Sequence, residues 1–273
     1  MGEENQKKER TGVVLPNLPE DVVNNALVPA ATEFGKKIVP AGKELGSFVN
    51  KIVVNALHPI ELMIWGYDNI KKWLTNDLTC RLKDIPAEKI KSPDPRVAVP
   101  IIDALRYAGS NETIRDMFAN LLASAMNTDL SDHVHPAFVE LVKQLDVMDA
   151  KILEYLFKNY QSAYINIRET DEKGYRVRSR YFGMMWLEVG SPDALRYNVS
   201  IENLMRLELI HSPSGYIADK PHYVFLEEHN AIKQLLQSFD KDHKPEFERR
   251  YFEVTRLGHS FCSIACASVA APP

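Results

Sequence analysis

Three side chains that can bind a transition metal lie on one side of a helix predicted near the C-terminal end of the chain. His259, Cys262 and Cys266 are spaced three and four residues apart, which places them on one helical face. Imidazole and thiolate ligands with one open coordination position are typical of zinc sites. Apolar neighbours such as Phe261 and Ile264 favour another interpretation, because a reduced cysteine often packs as a small hydrophobic side chain. We therefore predict core packing here, and neither a metal ion nor another cofactor for the protein.

A second pair of possible metal ligands is formed by His133 and His135, which lie two residues apart in a predicted loop. Two histidines in an extended segment can reach one metal ion. No acidic or cysteine partner stands at ligand spacing, and Asp129 and Asp132 are equally well explained as caps of helices and turns. We favour a structural role for this segment.

Carboxylates that could act as an acid–base pair occur at Asp146 and Asp149, with Glu140 shortly before them. Their position at a predicted helix start explains them as capping residues without acid–base work. The sequence contains neither a phosphate-binding glycine loop nor a nucleophile elbow. We therefore expect a protein that is not an enzyme and has no catalytic residues.

A predicted β-hairpin carries the basic, aromatic-rich patch of the chain. We identify Arg176, Arg178 and Arg180 in this hairpin as candidate interaction residues. Such side chains contact nucleic acid in winged-helix and single-strand-binding proteins. Acidic residues interrupt the same hairpin, however, and the predicted recognition helix offers a single Arg206 beside two glutamates. Because a DNA-binding surface concentrates positive charge, we predict a solvated hairpin or a protein contact rather than nucleic-acid binding.

The elements that would position these residues are mainly helices between Asn76 and Phe157. The clearest begins after Asn111, a good N-cap, and repeats apolar residues at the helical period. Further helices are predicted from Arg96 to Ala108, from Val134 to Leu145, and after Asp146 as a cap. Short connections make sequence neighbours into packing neighbours, so these helices are expected to form one core. The apolar stripe of the clearest helix consists of Ile114, Met117, Phe118, Leu121, Leu122 and Ala125.

Several short strings in this stretch carry a family resemblance. The most specific runs from Met117 to Met126, and others are Ile85–Ile90, His135–Val139 and Asp149–Leu153. In these strings the chain resembles the Abi-alpha family. Members of that family are bacterial proteins associated with abortive infection, which is a phage-defence response. The resemblance covers about Pro40 to Cys266. It implies a role in phage defence and supplies no catalytic residues that could be transferred.

Composition limits the remaining possibilities. The chain has 273 residues, of which 45% are hydrophobic and 26% charged, as in ordinary globular proteins of one or two domains. A net charge of -4 gives no general attraction to nucleic acid or anionic lipid. Three cysteines and the absence of a secretory signal predict reduced thiols and a cytoplasmic location. No apolar stretch approaches the roughly 20 residues of a membrane span.

Residues 35–75 form a glycine-containing amphipathic segment that allows two interpretations. The first is a close helix crossing, in which Gly42 and Gly46 let two backbones approach; we favour it. The second is peripheral contact with the inner face of a membrane, with Trp65 and Trp73 as interfacial anchors.

After Tyr160 the pattern changes from helices to short strands. Ala163–Ile167 alternates as a strand does, Ser200 is a predicted helix cap, and Leu209–Ile210 and Tyr223–Phe225 are predicted strand segments. A returning strand, predicted at Tyr251–Val254, leads into a last helix capped by Thr255. This order is typical of a winged-helix module.

We therefore predict a mainly α protein in three parts. Residues 1–19 are predicted to form a disordered or loosely docked tail, residues 20–145 a helical region and core, and residues 146–273 a small winged-helix-like α+β domain. The expected function is that of a non-enzymatic abortive-infection protein, acting through contact with a protein partner, with another copy of itself or with a membrane. The alternative is a nucleic-acid-binding regulator that uses the C-terminal domain.

Overall fold

The computed structural model describes residues 67–108, 111–190, 193–217, 220–240 and 242–266. This part of the chain is mostly helical, with a four-stranded antiparallel sheet towards its C-terminal end. The mainly α class is thus confirmed. The predicted tail and residues 35–66 of the glycine-containing segment, Trp65 among them, lie outside the described residues.

The helical half, described over residues 67–108 and 111–159, contains five α-helices within these residues. The first of them, α1, extends without a break through residues 76–82. The bounds of the five helices are α1 Tyr67–Leu82, α2 Pro95–Ala108, α3 Glu112–Met126, α4 Ala137–Lys143 and α5 Val147–Asn159.

Two predicted caps begin helices of this half. Asn111 Oδ1 accepts a hydrogen bond from the Ile114 amide at 3.3 Å, and Asp146 and Asp149 form a capping box at the start of α5. Helix α4 is shorter than predicted: Val134 is extended, Pro136 is the N-cap, and the helix ends at Lys143.

Helix α3 lies at the centre of the helical half. Every residue from Met117 to Met126 is buried, and α1, α2, α4, α5 and the last helix all contact α3. A helix enclosed in this way is apolar on nearly all sides. The single apolar stripe predicted from the sequence therefore accounts for only some of the residues that are buried in this helix.

The C-terminal half begins with a hairpin of two long strands, turned by Asp171, whose Oδ1 accepts from the Lys173 and Gly174 amides. Residues 182 and 183 complete the second strand, and residues 184–189 form a short helix. The elements are β1 Gln161–Asp171, β2 Gly174–Gly183, α6 Met184–Val189, α7 Ala194–Arg206, β3 Ile210–His211, α8 Lys220–Glu227, α9 Asn230–Gln237, β4 Lys244–Val254 and α10 Arg256–Ala265.

The strands are ordered β2-β1-β4-β3, and helices cover both faces of the central strand β1. On one face Tyr164 stacks on Phe252 at 4.2 Å between ring centroids, and both belong to the core shared with the helical half. On the other face Ile165 and Ile167 pack with residues of α8 and α9. The shared core joins residues on both sides of the predicted boundary at position 145, and the winged-helix assignment stays a prediction.

Three local predictions in this half are wrong. Tyr223–Phe225 lies in helix α8, where Tyr223 is buried and Phe225 exposed; a short apolar run does not distinguish a strand from a helix. Ser200 lies inside α7, whose cap is Asp193. The returning strand is longer than Tyr251–Val254, since it pairs with β1 from Lys244 onwards.

Helix α10, capped by Thr255 as predicted, approaches the backbone of its neighbours closely at Gly258. A Cβ atom at this position would overlap the Leu209 carbonyl oxygen and the Val254 side chain. We expect Gly258→Ala to lower the free energy of unfolding by about 1–3 kcal/mol, because overpacking outweighs the helix propensity of alanine. Urea denaturation measures this change. Ser260→Ala, at an exposed position of the same helix, is the matched control, and equal stability of both variants would contradict the close approach.

Candidate functional site

Helix α7 presents an exposed apolar surface in the C-terminal half. Leu195 is 73% exposed and Val199 57% exposed, and the four-residue spacing puts both on one side of the helix. Exposed Arg196 and Glu202 flank them. We call this surface, formed by Leu195, Arg196, Val199 and Glu202, the α7 face.

Hydrogen bonds on the opposite side fix the position of α7. The buried Asp149 carboxylate accepts from Asn203 Nδ2 at 2.9 Å and from the Ser200 hydroxyl. Asn203 Nδ2 also donates to the Gln144 carbonyl oxygen at 2.9 Å. Burial raises the pKa of Asp149 despite these hydrogen bonds. Helix α7 is therefore held rigidly against the start of α5, and the α7 face has a defined orientation.

The arginines of α7 are engaged within the protein. Arg196 Nη2 lies 3.0 Å from Asp146 Oδ2, and Arg206 Nη2 donates to Gln144 Oε1 at 3.1 Å and to Asn203 Oδ1 at 2.7 Å. Much of the hydrogen-bonding capacity of these two guanidinium groups is thus used within the protein and is not free to bind the phosphates of a nucleic acid. The α7 face is better suited to apolar contact than to nucleic-acid backbone contact.

The three hairpin arginines named as interaction residues have different surroundings. Arg178 Nη1 pairs with Glu169 Oε2 at 2.5 Å, and its guanidinium lies over the Phe239 ring, 5.0 Å from the centroid. Arg176 and Arg180 are exposed, and neither forms an ion pair with another described residue. Arg178 therefore holds the hairpin against α9, while Arg176 and Arg180 remain available for contact.

Of the three possible metal ligands near the C-terminal end, Cys262 and Cys266 lie together, and His259 does not join them. His259 packs on Phe157, with 5.7 Å between ring centroids, and Cys262 is fully buried. A hydrogen bond with the Cys266 side chain, together with burial, raises the pKa of the Cys262 thiol. Within the described ranges, these three residues do not form a group that could share one metal ion.

The histidines at 133 and 135 lie before α4. His133 is the last residue of a 3₁₀ turn, and His135 Nδ1 accepts from the Ala137 amide at 3.1 Å. This hydrogen bond satisfies a free amide in the first turn of α4. The arrangement agrees with the structural role that we favour for this segment.

Trp73, the described member of the two predicted membrane anchors, lies on α1. It is half-buried against the helical core, and the Arg115 guanidinium lies 4.8 Å from the centroid of its ring. Among the helices of the described part, none has the length and apolarity that crossing a bilayer requires.

One cluster that the sequence analysis missed lies where α9 meets the sheet. Glu169, Asp240 and His243 place three potential ligand atoms within 4.8 Å of one another. More than 70 residues separate Glu169 from the other two, so spacing gave no indication of the cluster. A local signal did exist, since Glu169 continues the inward-facing alternation of Ile165 and Ile167.

The chain has been compared with protein families, with curated proteins and with solved structures. The family model described as Abortive infection alpha matches residues 66–266. No curated protein matches the sequence. Among solved structures, the chain is similar to an uncharacterized protein from the hydrocarbon-degrading marine bacterium Alcanivorax borkumensis SK2, with 15% identity and a TM-score of 0.33. That similarity covers 48% of this chain and 96% of the other.

The different surroundings of the hairpin arginines predict different effects of their removal. We expect Arg178→Ala to lower the urea midpoint, because it leaves the buried Glu169 carboxylate without its guanidinium. The fold lowers the pKa of Glu169, so the stabilisation is present above the ordinary carboxyl pKa and is lost as the pH falls through the lowered value. The difference between wild type and Arg178→Ala should therefore shrink in acid.

Arg176→Ala and Arg180→Ala are the controls for this measurement, since both side chains are exposed in the same strand. Their urea midpoints should equal that of the wild type. Equal midpoints for all three variants would show that Arg178 does not hold the hairpin against α9.

Proposed function

Because the chain belongs to the abortive infection alpha family, we propose that it acts in abortive infection through contact with a protein partner rather than through catalysis. The family match spans residues 66–266 and therefore includes the helical half and the C-terminal half. It supports the general role. The observation that carries the finer proposal is the α7 face.

The α7 face has the properties of a protein-binding surface. Leu195 and Val199 stay largely exposed. Burying such side chains in an interface favours association by roughly 25 cal/mol per Å² of apolar surface, before the costs of binding are subtracted. Charged residues beside them correspond to the polar rim of an interface. Because Asn203 and Ser200 hold α7 on Asp149, the contact requires little ordering of the helix on binding.

The occupant that fits best is a protein with an apolar groove. Two apolar side chains one helical turn apart are the usual anchors when a helix docks in such a groove. In our proposal, Leu195 and Val199 enter the groove, and Arg196 and Glu202 contact its edges. The membrane interpretation of residues 35–75 stays a prediction, since residues 35–66 lie outside the described part.

The test uses a double variant of the α7 face in bacteria challenged with a panel of phages. Wild-type protein should reduce phage yield at the cost of infected-cell survival, and Leu195→Ser/Val199→Ser should restore phage yield because it removes the apolar anchors. Phage titre, cell survival and membrane potential are measured together. Leu257→Ser, at an exposed leucine of α10, is the matched control and should protect like the wild type.

Two results separate the two parts of the proposal. A double variant that folds normally and still protects would refute the α7 face as the contact. A wild-type protein that leaves phage yield and survival unchanged across the panel would refute the abortive-infection role itself.

A second candidate function is nucleic-acid binding by the C-terminal half. The element order from α5 to β4 and the neighbouring positions of β3, β4 and β1 in the sheet favour a winged-helix interpretation of this half. Exposed Arg176 and Arg180 could contact phosphates. The engagement of Arg196 and Arg206 by internal partners places this function second.

This second function predicts binding to duplex DNA that weakens steeply with salt. Arg176→Ala/Arg180→Ala should weaken that binding and reduce the slope of log K against log salt by about 0.9 for each phosphate that is no longer neutralised. Fluorescence anisotropy over a salt series measures both quantities. Arg256→Ala, at an exposed arginine of α10, is the control. Wild-type protein without salt-dependent binding would exclude this function.

A further inference from the structure

We propose that Glu169, Asp240 and His243 form a binding site for a divalent transition-metal ion, with Zn²⁺ as the ion that best matches the ligands. Glu169 Oε1, Asp240 Oδ2 and His243 Nδ1 offer two carboxylate oxygens and one imidazole nitrogen. Carboxylate oxygens and imidazole nitrogens are both zinc ligands, and zinc sites with three protein ligands keep a fourth position for water or another ligand.

The fold brings the three residues together from distant parts of the chain. Glu169 lies near the end of β1 on the face covered by α9, Asp240 follows α9, and His243 directly precedes β4. The Asp240 backbone amide donates to Glu169 Oε1 at 2.9 Å. This hydrogen bond holds Asp240 beside Glu169, which is the ligand that lies on a regular strand.

The imidazole of His243 is oriented for metal binding by Asp171. His243 Nε2 lies 3.1 Å from Asp171 Oδ2, and a proton on Nε2 leaves the lone pair of the neutral ring on Nδ1. A carboxylate that accepts from the second nitrogen is the usual partner of a metal-binding histidine. Among the described residues, Nδ1 is buried and has no hydrogen-bond partner.

The distances at Nδ1 fit a tetrahedral metal ion. His243 Nδ1 lies 3.6 Å from Glu169 Oε1 and 3.4 Å from Asp240 Oδ2. Metal–ligand bonds of about 2.0–2.1 Å place neighbouring ligands of a tetrahedral zinc site about 3.3–3.4 Å apart. The three electron-rich atoms therefore lie close enough together to share one small cation.

The local charge also favours a divalent cation. Glu169, Asp171 and Asp240 contribute three negative charges, and Arg178 contributes one positive charge on the far oxygen of Glu169. The Lys173 and Arg176 side chains line the cavity next to the site, and the two carboxylates that would hold a divalent cation, Glu169 and Asp240, balance its charge.

The site is reached from solvent through a neighbouring cavity of about 280 Å³. Glu169, Asp171 and His243 line this cavity together with Lys173, Tyr175 and Arg176. A metal ion at the site would join the β1–β2 hairpin to the connection between α9 and β4. Metal binding would therefore fix the position of the hairpin that carries the exposed Arg176.

The test measures metal binding by purified, chelator-treated full-length protein. Isothermal titration with Zn²⁺ should give one site, Co²⁺ should give the visible absorption of a tetrahedral ion, and Zn²⁺ should raise the melting temperature. Asp240→Ala and His243→Ala should each weaken binding at least tenfold, because each removes a ligand. Asp171→Asn should weaken it about 10–100-fold. Asp240 is 78% exposed, so its variant keeps the fold.

His259→Ala is the matched control and should bind Zn²⁺ like the wild type. The proposal is overturned if Asp240→Ala and His243→Ala bind as tightly as the wild type, or if binding is abolished in His259→Ala instead. It is also overturned if NMR shows His243 as an imidazolium, protonated on both nitrogens at neutral pH, whose resonances do not respond to Zn²⁺. That result would mean that a proton on Nδ1, rather than a metal ion, balances the carboxylates.

Discussion

The enclosure of helix α3 is the constraint on which the rest of the structure depends. A helix buried along ten consecutive residues needs neighbours on every side, and the last of them, α10, comes from the far end of the chain. The buried Asn120 makes this arrangement specific. Its oxygen accepts from Arg81 of α1, and its nitrogen donates to the Ala265 carbonyl oxygen of α10 at 2.9 Å. Since an unpaired buried amide costs about 1–3 kcal/mol, these hydrogen bonds select one position for each helix.

The surface of the C-terminal half follows from the same enclosure. Because α10 is drawn onto α3, one face of the sheet packs on the helical core, and α8 and α9 cover the other. Helix α7 is attached to the start of α5 through Asp149, so one side of it is buried and the other faces solvent. The exposed apolar residues of α7 and the cluster around His243 therefore lie on different elements, and each can be altered without the other.

The sequence predicted those features of the fold, such as helix caps, that depend on residues close together in the chain. Asn111, Asp146 and Thr255 begin helices as expected, because a cap bonds to amides two or three residues away. Ser200 and Tyr223 were misassigned because distant residues decide their roles: Asp149 binds the hydroxyl of Ser200, and the Arg250 carbonyl oxygen accepts from Tyr223. The same reason applies to the possible metal ligands. Regular spacing drew attention to His259, Cys262 and Cys266, whereas Glu169, Asp240 and His243 meet only after the sheet has formed.

The hydrogen bond between Asn120 and Ala265 spans 145 positions of sequence, and this has a consequence for synthesis. At translation rates of about 5–20 residues per second, α3 leaves the ribosome roughly 7–30 s before the helix that closes its last side. During that interval the nascent chain exposes an apolar groove that the finished protein does not have. Chaperones that recognise such grooves would therefore meet this protein while it is being made.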